Sequence, residues 1–303
     1  MDPLIVLFGL GVGILVGLTG IGGGSLMTPL LLLAGGYSPV VAISTDLAYG
    51  AVTKTVGGWR HLRAGHVDLR LSWWLAAGSV PGSILGVIAL SELHERYGEE
   101  FDPYLLGFVA AALMVAAGAT LYRSLFRTDM HRRERASAGL KRRRSKAATV
   151  AIGLVLGVVL GVTSVGSGAL VGLVLILLYR LRPHRVVGTD VFHAAVMLWS
   201  AGLAHLAYGN VDLGLMATIL VGSLPGVWIG AWLLPYVPVA ALRHTLAIVL
   251  TAAALGVLSK AGVPMSPLAL VGIPLALAVV SVVVHRRRTA ADEPARRPAL
   301  HET

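Results

Sequence analysis

The sequence predicts an all-α polytopic membrane protein made of two inverted-topology repeats, each opening with a broken or re-entrant helical hairpin. Three observations predict it. First, the 303 residues are 56% hydrophobic and 13% charged, with a mean hydropathy of +0.78, where a soluble domain carries about 25% charged residues. Second, one half of the chain repeats in the other. Third, each half holds a glycine-rich break followed by an apolar segment too short to cross a bilayer.

The charges are clustered, and between them lie apolar stretches near 20 residues, the length of a membrane-spanning helix. Buried helices of a soluble protein would show polar faces at helical period, and these stretches show none. The net charge of +10 sits mostly in short runs beside apolar segments, which marks topology signals rather than a nucleic-acid surface.

The duplication aligns without a gap when Asp46 is placed on Asp190, 144 positions later. Gly17, Thr19, Gly22 and Gly24 then fall on Gly161, Thr163, Gly166 and Gly168. Pro39, Thr45, Asp46 and His61 fall on Pro183, Thr189, Asp190 and His205. Gly65, Val67, Asp68 and Leu69 fall on Gly209, Val211, Asp212 and Leu213, and Gly78, Ser79, Pro81, Gly82 and Gly86 on Gly222, Ser223, Pro225, Gly226 and Gly230. Apolar composition matches Leu, Val and Ala by chance, but it does not align Asp, His and Pro in one register.

Apolar segments lie at about 4–19, 25–36, 39–58, 69–90 and 102–122, then at 147–164, 169–180, 185–206, 213–234 and 239–259, with an extra one at 265–284. The second of each half is too short for 30 Å of hydrocarbon at 1.5 Å per residue. It follows Gly20-Ile21-Gly22-Gly23-Gly24 or Ser164-Val165-Gly166-Ser167-Gly168. Irregular backbone at membrane depth is tolerated where protein buries it or a cavity receives it. The organisation is therefore a first membrane repeat at 1–122, a basic linker at 123–146, a second repeat at 147–260, an extra transmembrane helix at 261–285 and a disordered tail at 286–303.

Arg and Lys set orientation. The linker, from Arg123 to Lys146, is the richest loop and is placed in the cytoplasm. Arg60, Arg63, Arg70, Arg180, Arg182, Arg185 and Arg286-Arg287-Arg288 then also face the cytoplasm, and the acidic loop with Glu92, Glu95, Glu99, Glu100 and Asp102 lies outside. Lys260 alone falls on the outer side. The odd number of passes per half inserts the copies in opposite directions, as in many secondary transporters. The N-terminus is outside and the C-terminus cytoplasmic, in the cell (plasma or inner) membrane. Met1-Asp2-Pro3 lacks the basic start of a signal peptide, so the first apolar run is taken as a membrane segment.

Several function classes are excluded or disfavoured. With no cysteine, disulfides, thiolate metal sites and thiol catalysis drop out. The glycine runs lack the Lys and context of a P-loop, and no metal-ligand cluster or nucleophile triad is visible. An enzyme, a cofactor and a bound metal are not expected.

Asp46 and Asp190 lie several residues inside apolar segments, where a carboxylate is costly and faces a cavity, a partner or an ion path. The alternative is structural: an Asp at a helix end, paired with a loop or capping a half-helix. Lys54 is deeper and has Leu198 as its counterpart. It either neutralises Asp46, offers charge to an anion, or snorkels to the nearby interface. The glycine breaks offer half-helix N-termini, whose free N–H groups and dipole suit an anion. The candidate substrate-binding residues are Thr19, Gly22, Gly23, Gly24 and Ser25, with Thr163, Ser164, Gly166, Ser167 and Gly168. Thr45, Asp46, Thr189, Asp190, Lys54 and His193 form a coupling or structural set. His193, three positions after Asp190, is either a proton relay or a satisfied buried side chain. His61 and His205 are placed at the two faces, and Trp59, Trp73, Trp74, Trp228 and Trp232 read as interface anchors.

Taken together, Gly17-Leu18-Thr19-Gly20-Ile21-Gly22-Gly23-Gly24 with Pro29, Ser44-Thr45-Asp46, Gly65-His66-Val67-Asp68 and Gly78-Ser79-Val80-Pro81-Gly82 resemble the TauE/SafE family, the sulfite exporter or anion permease family. With their second-half copies the resemblance spans about residues 4–260. It implies duplicated helical halves that move small anions: sulfite, sulfonates and related organosulfur or carboxylate compounds. The second break departs from the pattern, and Leu173 stands where Pro29 has its counterpart.

The sequence thus predicts a secondary permease for a small anion, working in a lipid bilayer by alternating access. Protons as coupling ion and a homo-oligomeric state stay open, and nucleic acid is not a partner. A non-transport scaffold or assembly protein is the alternative. A metal-cation permease is disfavoured by the lack of further intramembrane carboxylates.

Overall fold

Prolines, glycines and side-chain caps divide this apolar chain into helices. The computed structural model describes residues 2–19, 24–125, 145–233, 236–237 and 239–292, and among them shows no strand. The helices are α1 (Pro3–Thr19), α2 (Gly24–Leu33), α3 (Pro39–Arg63), α4 (Leu69–Tyr97), α5 (Asp102–Leu125), α6 (Lys146–Thr163), α7 (Leu170–Leu177), α8 (Pro183–Ala207), α9 (Leu213–Leu233), α10 (Val239–Lys260) and α11 (Pro267–Asp292). A 3-10 turn, Gly98–Phe101, joins α4 to α5. The chain is an all-α polytopic membrane protein. Among the described residues, Leu69–Tyr122 (which holds α4 and α5), Lys146–Thr163, His184–Ala207 and Leu213–Leu233 are long and apolar enough to cross a bilayer, and Pro3–Thr19, His244–Lys260 and Pro267–Val280 are shorter apolar helices.

Boundaries follow local chemistry. Pro39 and Pro183 open α3 and α8, where a missing N–H is no loss. Asp68 Oδ1 accepts from Leu71 N at 3.1 Å and Asp212 Oδ1 from Leu215 N at 2.9 Å, capping α4 and α9. α3 runs on to Arg63, past the apolar stretch that ends at 58, and α4 runs on to Tyr97. At the far end, α11 continues through Arg286-Arg287-Arg288 to Asp292, so helix stands where the disordered tail is expected to begin. Most of the basic linker, 126–144, and the last residues, 293–303, lie outside the described residues.

The tightest packing runs across the two halves of the chain. α1 lies along α9 and α6 lies along α4. A Cβ on Gly9, Gly13 or Gly17 would strike the carbonyls of Ile219, Ser223 or Val227, and one on Gly222, Gly226 or Gly230 those of Val6, Leu10 or Ile14. The other seam does the same: Gly153, Gly157 and Gly161 meet Leu75, Ser79 and Ser83, and Gly78, Gly82 and Gly86 meet Val150, Leu154 and Val158. Every member of one seam stands 144 positions from a member of the other. Small residues let the backbones touch, which is how helices associate where lipid removes the hydrophobic incentive.

Between the seams, α3 crosses α8. Gly58 abuts Phe192 and Gly202 abuts Ala48, which puts the crossing around Thr53 and Met197. α5 packs on α10. Lys260, the basic residue that the charge rule leaves without support, has a local role. Lys260 Nζ donates to Leu32 O at 2.5 Å, satisfying a carbonyl at the end of α2 where a cation suits the helix dipole.

Candidate functional site

The crossing of α3 and α8 carries a set of buried polar groups in a region otherwise filled by Leu, Ile, Val and Ala. Thr45, Asp46, Thr189, Asp190 and His193 are all buried. The two members of each Thr-Asp pair do different things.

The threonines brace the halves together. Thr45 Oγ1 accepts from Asp212 N at 3.1 Å, and Thr189 Oγ1 accepts from Asp68 N at 2.9 Å. Each threonine thus holds the loop whose aspartate caps α9 or α4 on the other half. The bracing is reciprocal.

The aspartates reach the breaks. Thr28 Oγ1 donates to Asp46 Oδ2 at 2.5 Å, Ser164 Oγ donates to the same oxygen at 2.9 Å, and the Thr28 backbone is also within hydrogen-bond range. Asp46 Oδ1 makes no hydrogen bond. On the other side, Gly168 N donates to Asp190 Oδ1 at 3.2 Å. This amide lies just before α7, so the carboxylate occupies the donor end of that short helix.

The second break has a defined shape. α6 ends at Ser164, whose φ of 58° is left-handed, and Gly166 and Gly168 follow at φ 134° and 96°. Thr163 Oγ1 donates to Val159 O at 2.6 Å and accepts from Val165 N at 3.1 Å. Its hydroxyl closes the break from within. Thr19 likewise donates to Leu15 O at 2.7 Å. Ser167 and Ser25 are buried, and Ser25 Oγ makes no hydrogen bond. Gly24 is the first residue of α2. Gly22 and Gly23 lie outside the described residues.

Lys54 is not a snorkelling side chain. It is 5% exposed, and its Nζ is buried without a hydrogen-bond partner. Its charge is felt by Asp190 and His193. His193 Nε2 lies 3.2 Å from Ser79 Oγ, and the ring also lies beside the Ser72 backbone. Position 49 is the counterpart of 193, and there Tyr49 OH stands beside Ser223, although neither hydroxyl closes a hydrogen bond. His205 is buried instead of lying at a face, with Nε2 3.4 Å from Gly161 O and Nδ1 3.3 Å from Asn210 Nδ2. His61 sits in a ring cluster with His66, which stacks edge-on to His184. Trp59, Trp73, Trp228 and Trp232 are exposed, as apolar anchors in lipid are.

Thr28 and Ser164 therefore gather on Asp46, while Lys54 stands near Asp190. Sequence reasoning missed Thr28, Ser72, Ser79, Tyr49 and Ser223. Of these, Ser79 and Ser223 already stood in the repeat alignment. Among the described residues, no group of three or more His, Asp or Glu side chains is placed to hold a metal ion.

Comparison with known proteins agrees with a transporter. Residues 5–257 match the family described as "Sulfite exporter TauE/SafE". The chain is 37% identical over 237 residues to the probable membrane transporter protein YjnA of Bacillus subtilis (strain 168), covering 78% of this chain and 91% of that protein. It is 26% identical over 256 residues to the probable membrane transporter protein YdhB of the same organism, covering 84% and 98%. A probable membrane transporter protein of Xylella fastidiosa (strain 9a5c) is 27% identical over 236 residues, covering 77% and 85%. No solved structure gives a significant match.

Proposed function

This chain belongs to the sulfite exporter TauE/SafE family, and we propose that it is a secondary transporter for a small anion, sulfite, a sulfonate or a related organosulfur or carboxylate compound. Its family and its relatives' names point to membrane transport rather than to enzyme chemistry. The observation that carries the proposal is Asp46, a buried carboxylate in the first half that takes the hydroxyl of Ser164 from the break of the second. A group shared between halves at a helix break is where relative motion of the halves changes hydrogen bonding.

In this reading the halves are inverted repeats that rock about the α3–α8 crossing, giving alternating access. The breaks present donors to the anion, and the aspartates hold those donors when the anion is away. Two carboxylates repel an anion, and protonation removes that repulsion. The reading therefore makes protons the coupling ion, with Asp46 Oδ1 the oxygen not engaged by a hydroxyl. The N-terminus is outside and the C-terminus cytoplasmic in the cell membrane, on the distribution of Arg and Lys. Because the chain has no cysteine, single introduced cysteines and an impermeant thiol reagent test that orientation directly.

The experiment for function is a flux screen in proteoliposomes with sulfite, sulfoacetate, taurine and simple carboxylates, each with and without a proton gradient. Gradient-dependent movement of at least one anion is expected. If none moves, the proposal fails. Asp46→Asn and Asp190→Asn test coupling: parental rates with unchanged pH dependence, in normally inserted protein, would remove the aspartates from it.

A further inference from the structure

At the second break, the donor end of the short helix is taken by this chain's own carboxylate, since Asp190 accepts from Gly168 N. At the first, Asp46 takes the Thr28 and Ser164 hydroxyls. An anion in either place competes with a resident aspartate. A different group of donors is not engaged. Lys54 Nζ, His193 Nδ1 and Ser72 Oγ are all buried and all lack a hydrogen-bond partner.

These three come from three helices, α3, α8 and α4. They are neighbours: Lys54 lies between Gly50 and Gly57, which meet Leu198 and Val191 on either side of His193 in α8, and the His193 ring is held against α4 by Ser79 and lies beside the Ser72 backbone. Ser79, also on α4, holds the other ring nitrogen at 3.2 Å and so fixes the imidazole's orientation. Ser72 lies in the first turns of α4, the end of a helix that favours negative charge. A buried ammonium without hydrogen bonds is expensive unless something pairs with it. Asp190 offsets its charge at longer range but does not fill its three donor positions.

We infer that Lys54, His193 and Ser72 form an anion subsite between α3, α4 and α8, in which the Lys54 ammonium directly binds the carboxylate, sulfonate or sulfite group of the transported anion. The inference rests on the transport reading above and moves the anion's charge partner from the glycine breaks to a single cation. The duplication gives no second copy of this subsite, because Leu198 stands at the position equivalent to Lys54. The protein thus binds one anion off the centre of its two-fold arrangement, on the side of the α3–α4 loop. The ligand is a small anion with one oxyanion group, matched to one ammonium and to neutral donors from imidazole and hydroxyl.

The test compares the parent protein with Lys54→Met, Lys54→Arg and the double variant Lys54→Met with Asp190→Asn. Purified full-length protein is titrated calorimetrically with sulfite, acetate and isethionate, and its thermal unfolding is recorded. Lys146→Met, on an exposed residue at the start of α6, serves as control and binds as the parent does. Lys54→Met is expected to weaken the bound anion by at least about tenfold, the order of a lost charge-assisted contact, while Lys54→Arg keeps most of the affinity. The double variant recovers thermal stability but not binding. If Lys54 serves only to neutralise Asp190, the double variant recovers both, and the inference is wrong. Parental affinity in a stable Lys54→Met overturns this inference alone. A parent that binds and moves none of the anions overturns the transport reading with it.

Discussion

The Asp46 and Asp190 centres occupy equivalent places in the chain and hold their carboxylates by different means. Asp46 is held by hydroxyls, one from Thr28 on α2 and one from Ser164 in the opposite half. Asp190 is held by a backbone amide, Gly168 N, and stands near a buried cation. The counterparts explain the split: Thr28 has Gly172 as its equivalent, Tyr49 has His193, and Lys54 has Leu198. Around these centres the frame is unchanged, with matching glycine seams and matching Thr-to-loop braces. The packing frame thus matches between the halves, while the side chains around the two carboxylates differ, with Thr28 and Tyr49 beside Asp46 and Lys54 beside Asp190.

Substitutions test that split in graded steps. The largest effect belongs to the shared frame. Gly78→Ala and Gly222→Ala each put a Cβ into a facing carbonyl and are expected to destabilise by about 3 kcal/mol, the upper end of overpacking. Thermal unfolding in detergent should show equal losses; unequal ones would mean the seams are not equivalent. Next come the aspartates. Asp190→Asn strands the Lys54 ammonium and is expected to cost about 2 kcal/mol more than Asp46→Asn, in the direction found when one member of a buried charge pair is removed. Equal unfolding temperatures would erase the proposed contrast.

Smaller effects resolve the two centres further. Ser164→Ala removes one of two hydroxyls on Asp46 Oδ2 and should lower stability by about 1–2 kcal/mol, as when a buried acceptor loses a donor. Thr45→Val and Thr189→Val should each cost about 1 kcal/mol, matched between halves, because each removes one neutral hydrogen bond. A large mismatch between them would show that one half carries the bracing alone. The smallest step is a gain. Gly36 has φ 69°, and its counterpart Arg180 has φ 50°, a left-handed conformation that side chains resist. Arg180→Gly should stabilise by about 0.5–1 kcal/mol, read as a small rise in unfolding temperature.

The all-α membrane frame was legible in the sequence, because apolar stretches of spanning length have one physical meaning. The cross-half seams were only half legible. Gly78, Gly82 and Gly86 stood out in the alignment, whereas Gly9, Gly13, Gly153 and Gly157 were lost among apolar residues that match by chance. Their four-residue spacing is the signal that would have found them. At the site, the aspartates were visible and their donors were not. Thr19 and Thr163 stood among the candidate donors, and each also bonds the carbonyl one turn back, as a threonine within a helix readily does. Lys54 looked close to an interface because the apolar stretch ends at 58. The helix continues to Arg63, and those extra turns keep its ammonium away from solvent.

The seam between α1 and α9 also governs how the protein is made. Its first helix finds its packing partner only after the ninth has emerged, a wait on the order of tens of seconds at roughly 5–20 residues per second of synthesis. During that interval the face formed by Gly9, Gly13 and Gly17 lacks the helix it packs against. The α4–α6 seam closes much sooner, between helices separated by one loop and α5. The α1–α9 seam therefore forms after the α4–α6 seam, although α1 is the earliest-made helix, and the packing of α5 on α10 forms later still. A chain stopped before α9 would hold a first helix whose glycine face has no helix to meet.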